Sequence, residues 1–379
     1  MSSPRPAALL AAGALVLGGA SACASKDSAG SASGPVSVSA SESACKVSRT
    51  ELPAGKHTFD VKNQGSKVTE FYVYAEGDRI VGEIENVGPG LSRKFIVELP
   101  AGKYEGACKP GMVGKGIRTG LTVTGDAAPH ESTDQKLSDA TASYKKVVEA
   151  HSQSLIEKTT QFTDAVKAKD IEKAKALFPV ARYDWEFIEP VAGSFGKLDP
   201  SIDAPDADLE PGQQWTGFHK LEKDLWIAKD LSRSGPTADK LLVDVQKIVD
   251  ESKAVTLNPL QLANGAKELL DEVATGKVTG EEDTFSHTDL WDFHANVEGS
   301  KASIAALRPV LEERDPALVK ELDAGFAAVD AELAKHAQGD GFVTYDKLSK
   351  ADVKALSTVI NAVGEPVSKV AAVVAKDKK

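Results

Sequence analysis

The chain has 379 residues, 41% of them hydrophobic and 27% charged, and a formal net charge of −11 at pH 7. That is the balance of a soluble globular protein, longer than one ordinary domain. An acidic surface repels nucleic acid and concentrates cations, so nucleic-acid binding is set aside and a cationic ligand is admitted.

Behind Arg5, residues 7–17 are a run of Ala, Leu, Gly and Val. The run is too short to span a bilayer as a stable helix and is followed by small residues, the pattern of a secretory signal over 1–22. Export is the expectation. Ala20-Ser21-Ala22-Cys23 resembles a bacterial lipobox, which implies a lipid on Cys23 and an anchor at the outer face of the cell membrane. Residues 23–35, rich in Ser, Ala and Gly, then read as a flexible tether.

Over 36–125 the hydrophobic period is two. "VSVSA", "HTFDVKN", "EFYVYA", "RKFIVEL" and "GLTVTG" alternate apolar and polar residues between Gly, Pro and Asn, which predicts a small antiparallel sandwich. Within it, "YEGACKPGMVGKG" at 104–116 resembles the copper loop of cupredoxins without its histidine. A blue copper centre needs two imidazoles, a thiolate and a weak axial ligand, and His57 is the one histidine of this half. Two readings stay open. Copper or a second iron could sit on Cys45, Cys108, Met112 and Glu70, the last opening the strand where a cupredoxin carries its first histidine; or Cys45 and Cys108 form a structural disulfide in an exported protein. Glu83 and Glu85 read as a solvated strand face.

Residues 126–136, "DAAPHESTDQK", lack apolar periodicity and form the linker. From 137 to 379 the period is helical: Tyr144, Val148, His151, Leu155, Phe162 and Val166 make one stripe, and Leu318, Leu322, Phe326, Val329 and Leu333 another. A helical bundle follows. It contains neither Cys nor Met, so a metal here takes imidazole and carboxylate, a set suited to iron, zinc or manganese.

Three stretches of the bundle carry that chemistry. "GFHKLEKDLW" places His219 and Glu222 three apart on a helix, and "ARYDWEFIEPVAGSFGKLDP" does the same for Glu186 and Glu189. "TGEEDTFSHTDLWDFHANVEG" begins with Glu281 and Glu282 before a helix capped by Ser286, which carries His287, Asp289, Asp292 and His294. All four tryptophans lie near these stretches, which hints that the three meet in space.

Together they resemble the imelysin-like family of exported HxxE proteins. With the β half in front, residues 36–375 resemble the iron-binding components of bacterial EfeUOB-type iron-uptake systems. The resemblance implies a cupredoxin-like sandwich followed by an imelysin-like bundle, and a metal site of His219, Glu222, Glu186, Glu189, Asp203 and Glu282. Asp206, Glu281 and Glu298 are the neighbours if the register differs. It also implies iron as cargo, with zinc as a substitute, an EfeU-type permease and an EfeB-type haem peroxidase as partners, and reduction or oxidation as a control on release. The family has been labelled a peptidase, but a zinc peptidase is normally marked by His-Glu-x-x-His, and "HESTD" at 130–134 ends in aspartate. A transport component is the reading, with a zinc-dependent HxxE peptidase the alternative.

Overall fold

A computed structural model describes residues 34–125, 134–206, 209, 212 and 214–376. The expected signal, Cys23 and most of the 126–136 linker lie outside the described residues. The alternating stretches form β1 (Val36–Ala40), β2 (Cys45–Val47), β3 (Glu51–Pro53), β4 (Gly55–Asn63), β5 (Thr69–Tyr74), β6 (Ile80–Val87), β7 (Ser92–Leu99), β8 (Gly102–Pro110) and β9 (Ile117–Thr124). One sheet runs β2-β1-β4-β7 and the other β3-β9-β8-β5-β6. β1 pairs parallel to β4, and β3 parallel to β9. The sandwich is therefore not antiparallel throughout: a period of two fixes which face a residue takes but not the direction of its neighbour.

Inward residues of both sheets fill the sandwich, with Phe59 stacked on Phe95 at 5.3 Å and tilted against Phe71 at 5.5 Å. β5 is buried along its whole length. Phe71 and Val73 enter the sandwich core, whereas Tyr72 and Tyr74 stack on each other at 5.3 Å outside that core. A strand covered on both faces has something packed on its back.

That covering is the helical half. It comprises α1 (Gln135–Lys167), α2 (Ile171–Ile188), α3 (Leu198–Asp203), α4 (Phe218–Lys223), α5 (Gly235–Ala254), α6 (Pro259–Thr275), α7 (Asp289–Arg314), α8 (Pro316–Leu333), α9 (Lys350–Val367) and α10 (Val370–Val374). A two-residue hairpin, β10 (Ala337–Gln338) with β11 (Gly341–Phe342), follows α8. Asp134 and Asp170 cap α1 and α2, and Asn258–Gln261 and Ser349–Asp352 form capping boxes on α6 and α9. The predicted stripes are buried, and His151, at the edge of the first, is half-buried against Phe187.

Sandwich and bundle lie within one compact unit, Pro35–Lys379. Arg93 reaches Asp271 of α6 at 2.9 Å, Asn264 donates its Nδ2–H to the Ile96 carbonyl at 2.8 Å, and Lys56 donates to the Ala375 carbonyl at 3.0 Å.

Candidate metal centre

Arg182 and Glu186 stand one turn apart on the buried face of α2. α2 ends at Ile188, and the chain tightens into a 3-10 turn, Glu189–Phe195, with Pro190 near its start. Glu189 is thus not on one α-helical face with Glu186, as the spacing had suggested. Asn296 of α7 joins the two instead, its Nδ2–H donating to Glu186 Oε2 at 3.0 Å and to Glu189 Oε2 at 2.8 Å.

Beyond that turn comes α3, which delivers Asp203 at its C-terminal end. Gly217 then turns the chain into α4 at φ 89°, in a place where a Cβ would stand 2.1 Å from the Ile202 carbonyl oxygen. This close approach sets His219 beside Asp203. His219 Nδ1–H donates to Glu222 Oε2 at 3.0 Å, and its Nε2 lies 3.5 Å from Asp203 Oδ1 and 3.6 Å from Glu282 Oε1. Glu222 Oε1 accepts the backbone N–H groups of Phe285 and Ser286 at 2.9 and 2.7 Å.

Ser286 therefore holds Glu222 through its backbone and does not cap α7, whose N-cap is Thr288. His287 lies in the preceding turn at φ 59°, and His294, on α7, packs against Tyr183 and Phe342 rather than joining the cluster. Asp206 pairs with Lys223, Glu298 pairs with Lys301, and Glu281 is exposed, so none of the three register alternatives reaches the cluster. Of the tryptophans, Trp185 donates to Asp203 Oδ2 at 3.0 Å and Trp215 to the Ala204 carbonyl at 2.9 Å; Trp226 and Trp291 pack elsewhere on Phe178 and Phe342.

Two buried cations were not anticipated. Arg182 is hydrogen-bonded or ion-paired to Glu186, Asp203, Glu282, Asp283 and Asp292, and Lys277 Nζ lies 2.6 Å from Glu186, 3.1 Å from Glu189 and 3.5 Å from Glu272. Arg182 had one local signal, its place a turn before Glu186. Lys277 had none.

The charges respond to this crowding. Burial works against charging His219, and so does Arg182, but the hydrogen bond to Glu222 and the nearby Glu282 carboxylate outweigh both and raise it to about 10. Burial likewise opposes the Glu282 carboxylate, yet Lys277 and the neighbouring His219 hold it down at about 2. Burial pushes Asp283 up to about 7, and it raises Glu189, helped by the neighbouring charge of Glu272.

Asp203, Glu189 and Glu282 look into a cleft of about 800 Å³ between bundle and sandwich. Glu70, Glu83, Glu85 and Met112 line its other wall. Glu83 and Glu85 are half-buried there, not on a solvated face, and the Tyr72 hydroxyl lies 3.1 Å from both Glu70 Oε2 and Glu85 Oε1, which share its one proton.

The copper reading fails on the same alternation. Cys45 and Cys108 form a disulfide across the two sheets, buried in the sandwich core, so neither offers a thiolate. Cys108 faces inward beside Phe71, whereas Glu70 and Met112 line the cleft on the opposite side of the sheet. The four expected donors cannot share an ion.

The chain matches the family model described as Imelysin over residues 140–370 and that of the cupredoxin-like domain over residues 10–123. It is 40% identical over 349 residues to the "Iron uptake system component EfeO" of Escherichia coli strain K12, covering 90% of this chain and 92% of that protein. Identity and coverage are the same for proteins of that name in Escherichia coli O157:H7 and Shigella flexneri.

The chain belongs to the EfeO family.

Its place among iron uptake system components agrees with the hard donor set, since carboxylate and imidazole suit iron. The EfeO-family architecture, a cupredoxin-like sandwich before an imelysin-like bundle, is the one described above. No helix among the described residues is long and apolar enough to cross a membrane.

Proposed function

We propose that this chain captures iron as cargo outside the cytoplasm and passes it to a membrane permease. One observation carries the reading: Asp203, His219 and Glu282, from three separate segments, each present a donor atom within 4.8 Å of the others, beside an acidic cleft. Ligand bonds of about 2.1 Å allow two ligands of one ion to stand up to roughly 4.2 Å apart, and the 3.5 and 3.6 Å separations from His219 Nε2 fall inside that limit.

In this reading Asp203, His219 and Glu282 grip the ion and Glu186 closes the site from the bundle side. Glu222 fixes the His219 ring, and Glu189 guides the ion in from the cleft. Ferric iron is held by such oxygen donors more firmly than ferrous iron, so reduction would favour release, and zinc is a substitute for the same set. Residues 36–125 and 137–379 act as the two domains, the first forming the far wall of the cleft. Export, the lipid on Cys23, and handover involving an EfeU-type permease and an EfeB-type haem peroxidase complete the proposal.

The geometry favours transport over hydrolysis. Both oxygens of Glu222 are already engaged, one by two backbone N–H groups and one by His219, which leaves it ill-placed as a general base for a metal-bound water.

The test is anaerobic titration of the mature protein with Fe(II), Fe(III), Cu(II) and Zn(II). Saturable iron binding that is lost in Asp203→Ala/Glu282→Ala is the expected result. A double variant that binds iron as tightly as the parent overturns the proposal, and peptide turnover abolished by Glu222→Ala would favour the hydrolase.

A further inference from the structure

Arg182 holds the donor atoms that the proposed iron site uses. Its Nη1–H donates to Asp203 Oδ1 and lies 3.3 Å from His219 Nε2, while its Nη2–H donates to Glu186 Oε1 and, at 3.1 Å, to Glu282 Oε1. A cation bonded to the same three groups at about 2.1 Å would stand against the guanidinium with no anion between them. Cargo and guanidinium therefore exclude each other from this position.

The structure also supplies a place for the guanidinium to go. Its Nε lies 3.4 Å from Asp292 Oδ1 and 3.5 Å from Asp283 Oδ1, the latter also 4.0 Å from His219 Nδ1. Asp283 and Asp292 are fully buried, and Asp283 Oδ1 and Asp292 Oδ2 accept no hydrogen bond among the described residues. Buried carboxylate oxygens without donors are costly, and nothing in the proposed capture of iron uses these two. Phe178 and Phe218 flank the guanidinium at 5.9 and 5.8 Å, so its polar partners lie around its edge, His219 and the acids named above.

We infer that Arg182 is an internal counter-ion that competes with the cargo ion for Asp203, His219 and Glu282 and withdraws onto Asp283 and Asp292 when the ion enters. The inference rests on the iron-site reading and adds to it a means of release. A carrier must let go, and a tethered cation that retakes the ligands weakens retention without altering the ligand set. Asp292 is a positioning residue: it acts through Arg182 and not on the ion.

The experiment is competitive Zn(II) and anaerobic Fe(II) titration of the full mature chain and three variants. Arg182→Gln binds roughly tenfold or more tightly than the parent, because the competitor is gone. Asp292→Asn binds several-fold more weakly, because the guanidinium has lost its retreat, and Arg182→Gln/Asp292→Asn binds as Arg182→Gln alone does. A purely structural Arg182 gives weaker binding or no change in the first variant. An Asp292→Asn effect that persists undiminished in the double variant shows direct action on the ion; either result overturns the inference.

Should Arg182→Gln fail to fold, the parent answers through NMR of arginine labelled with 15N. The Arg182 Nε–H resonance, assigned by its loss in Arg182→Lys, moves on addition of one equivalent of Zn(II); a resonance that stays in place while the ion binds overturns the inference. A parent that binds neither ion overturns the iron-site reading itself. Parent binding without a gain in Arg182→Gln removes this inference alone.

Discussion

Lys277 shows what a single side chain does in a site this acidic. Its ammonium is wholly buried, 2.6 Å from Glu186 and 3.1 Å from Glu189. Burial alone would favour the neutral amine, but Glu186 and Glu189 reverse that and hold its proton more firmly than usual. Lys277→Met should therefore cost about 3–5 kcal/mol by urea unfolding, because it leaves Glu186 buried beside Glu189 with one cation fewer. Adding Glu189→Gln should restore a large part, and full additivity in that double-mutant cycle would show that the pair does not interact. His219, Glu222, Glu186 and Glu189 were legible because they come in spaced pairs, whereas Asp203 and Glu282 entered through the family resemblance. Lys277 was not, because its sequence neighbours are those of any surface turn, and only the fold brings Glu186 to it across 91 positions.

Two glycines let the elements around the site approach. A Cβ on Gly265 of α6 would stand 2.0 Å from the Pro190 carbonyl oxygen, and one on Gly299 of α7 would stand 2.2 Å from the Phe187 carbonyl oxygen. The segment 187–190, which carries Glu189 and follows Glu186 directly, is thus clamped between two helices at backbone distance. Gly265→Ala should destabilise by about 1–3 kcal/mol and weaken metal binding, since the backbone must shift at the point that aims both glutamates. Gly364→Ala, where nothing lies within 4 Å, is the control and should be neutral or stabilising by up to about 1 kcal/mol. Equal unfolding midpoints for the two variants would remove the clamp. Periodicity made the helices legible, but not this clamp, nor where α2 gives way to a 3-10 turn or α7 begins. Those depend on which backbones touch, and hydrophobic spacing records only which side chains are buried.

Across the whole molecule, acids face acids over the cleft, Glu70, Glu83 and Glu85 from the sandwich and Glu268 and Glu272 from α6. Burial, then the charge of Glu85, raises Glu268 to about 8, against Lys267, while burial and the charge of Glu268 raise Glu83. The sign follows from proton linkage. A carboxyl whose folded value lies above its ordinary value of 4.5 binds more protons in the folded chain, so its stabilising contribution is fully present below about 4.5 and is lost as pH rises toward 8. Sandwich and bundle, joined by the Arg93–Asp271 pair and the Asn264 hydrogen bond, should accordingly loosen from pH 5 to pH 8.5 when no cation is supplied. Glu268→Gln removes one of the groups that must ionise. It should raise the melting temperature by roughly 2–4 °C at pH 8.5 and leave it unchanged at pH 4.5. Scanning calorimetry of the chelator-treated parent and variant at both pH values decides the matter. An identical shift at both would mean that Glu268 acts by packing, and that charge across the cleft does not set how firmly the two halves hold together.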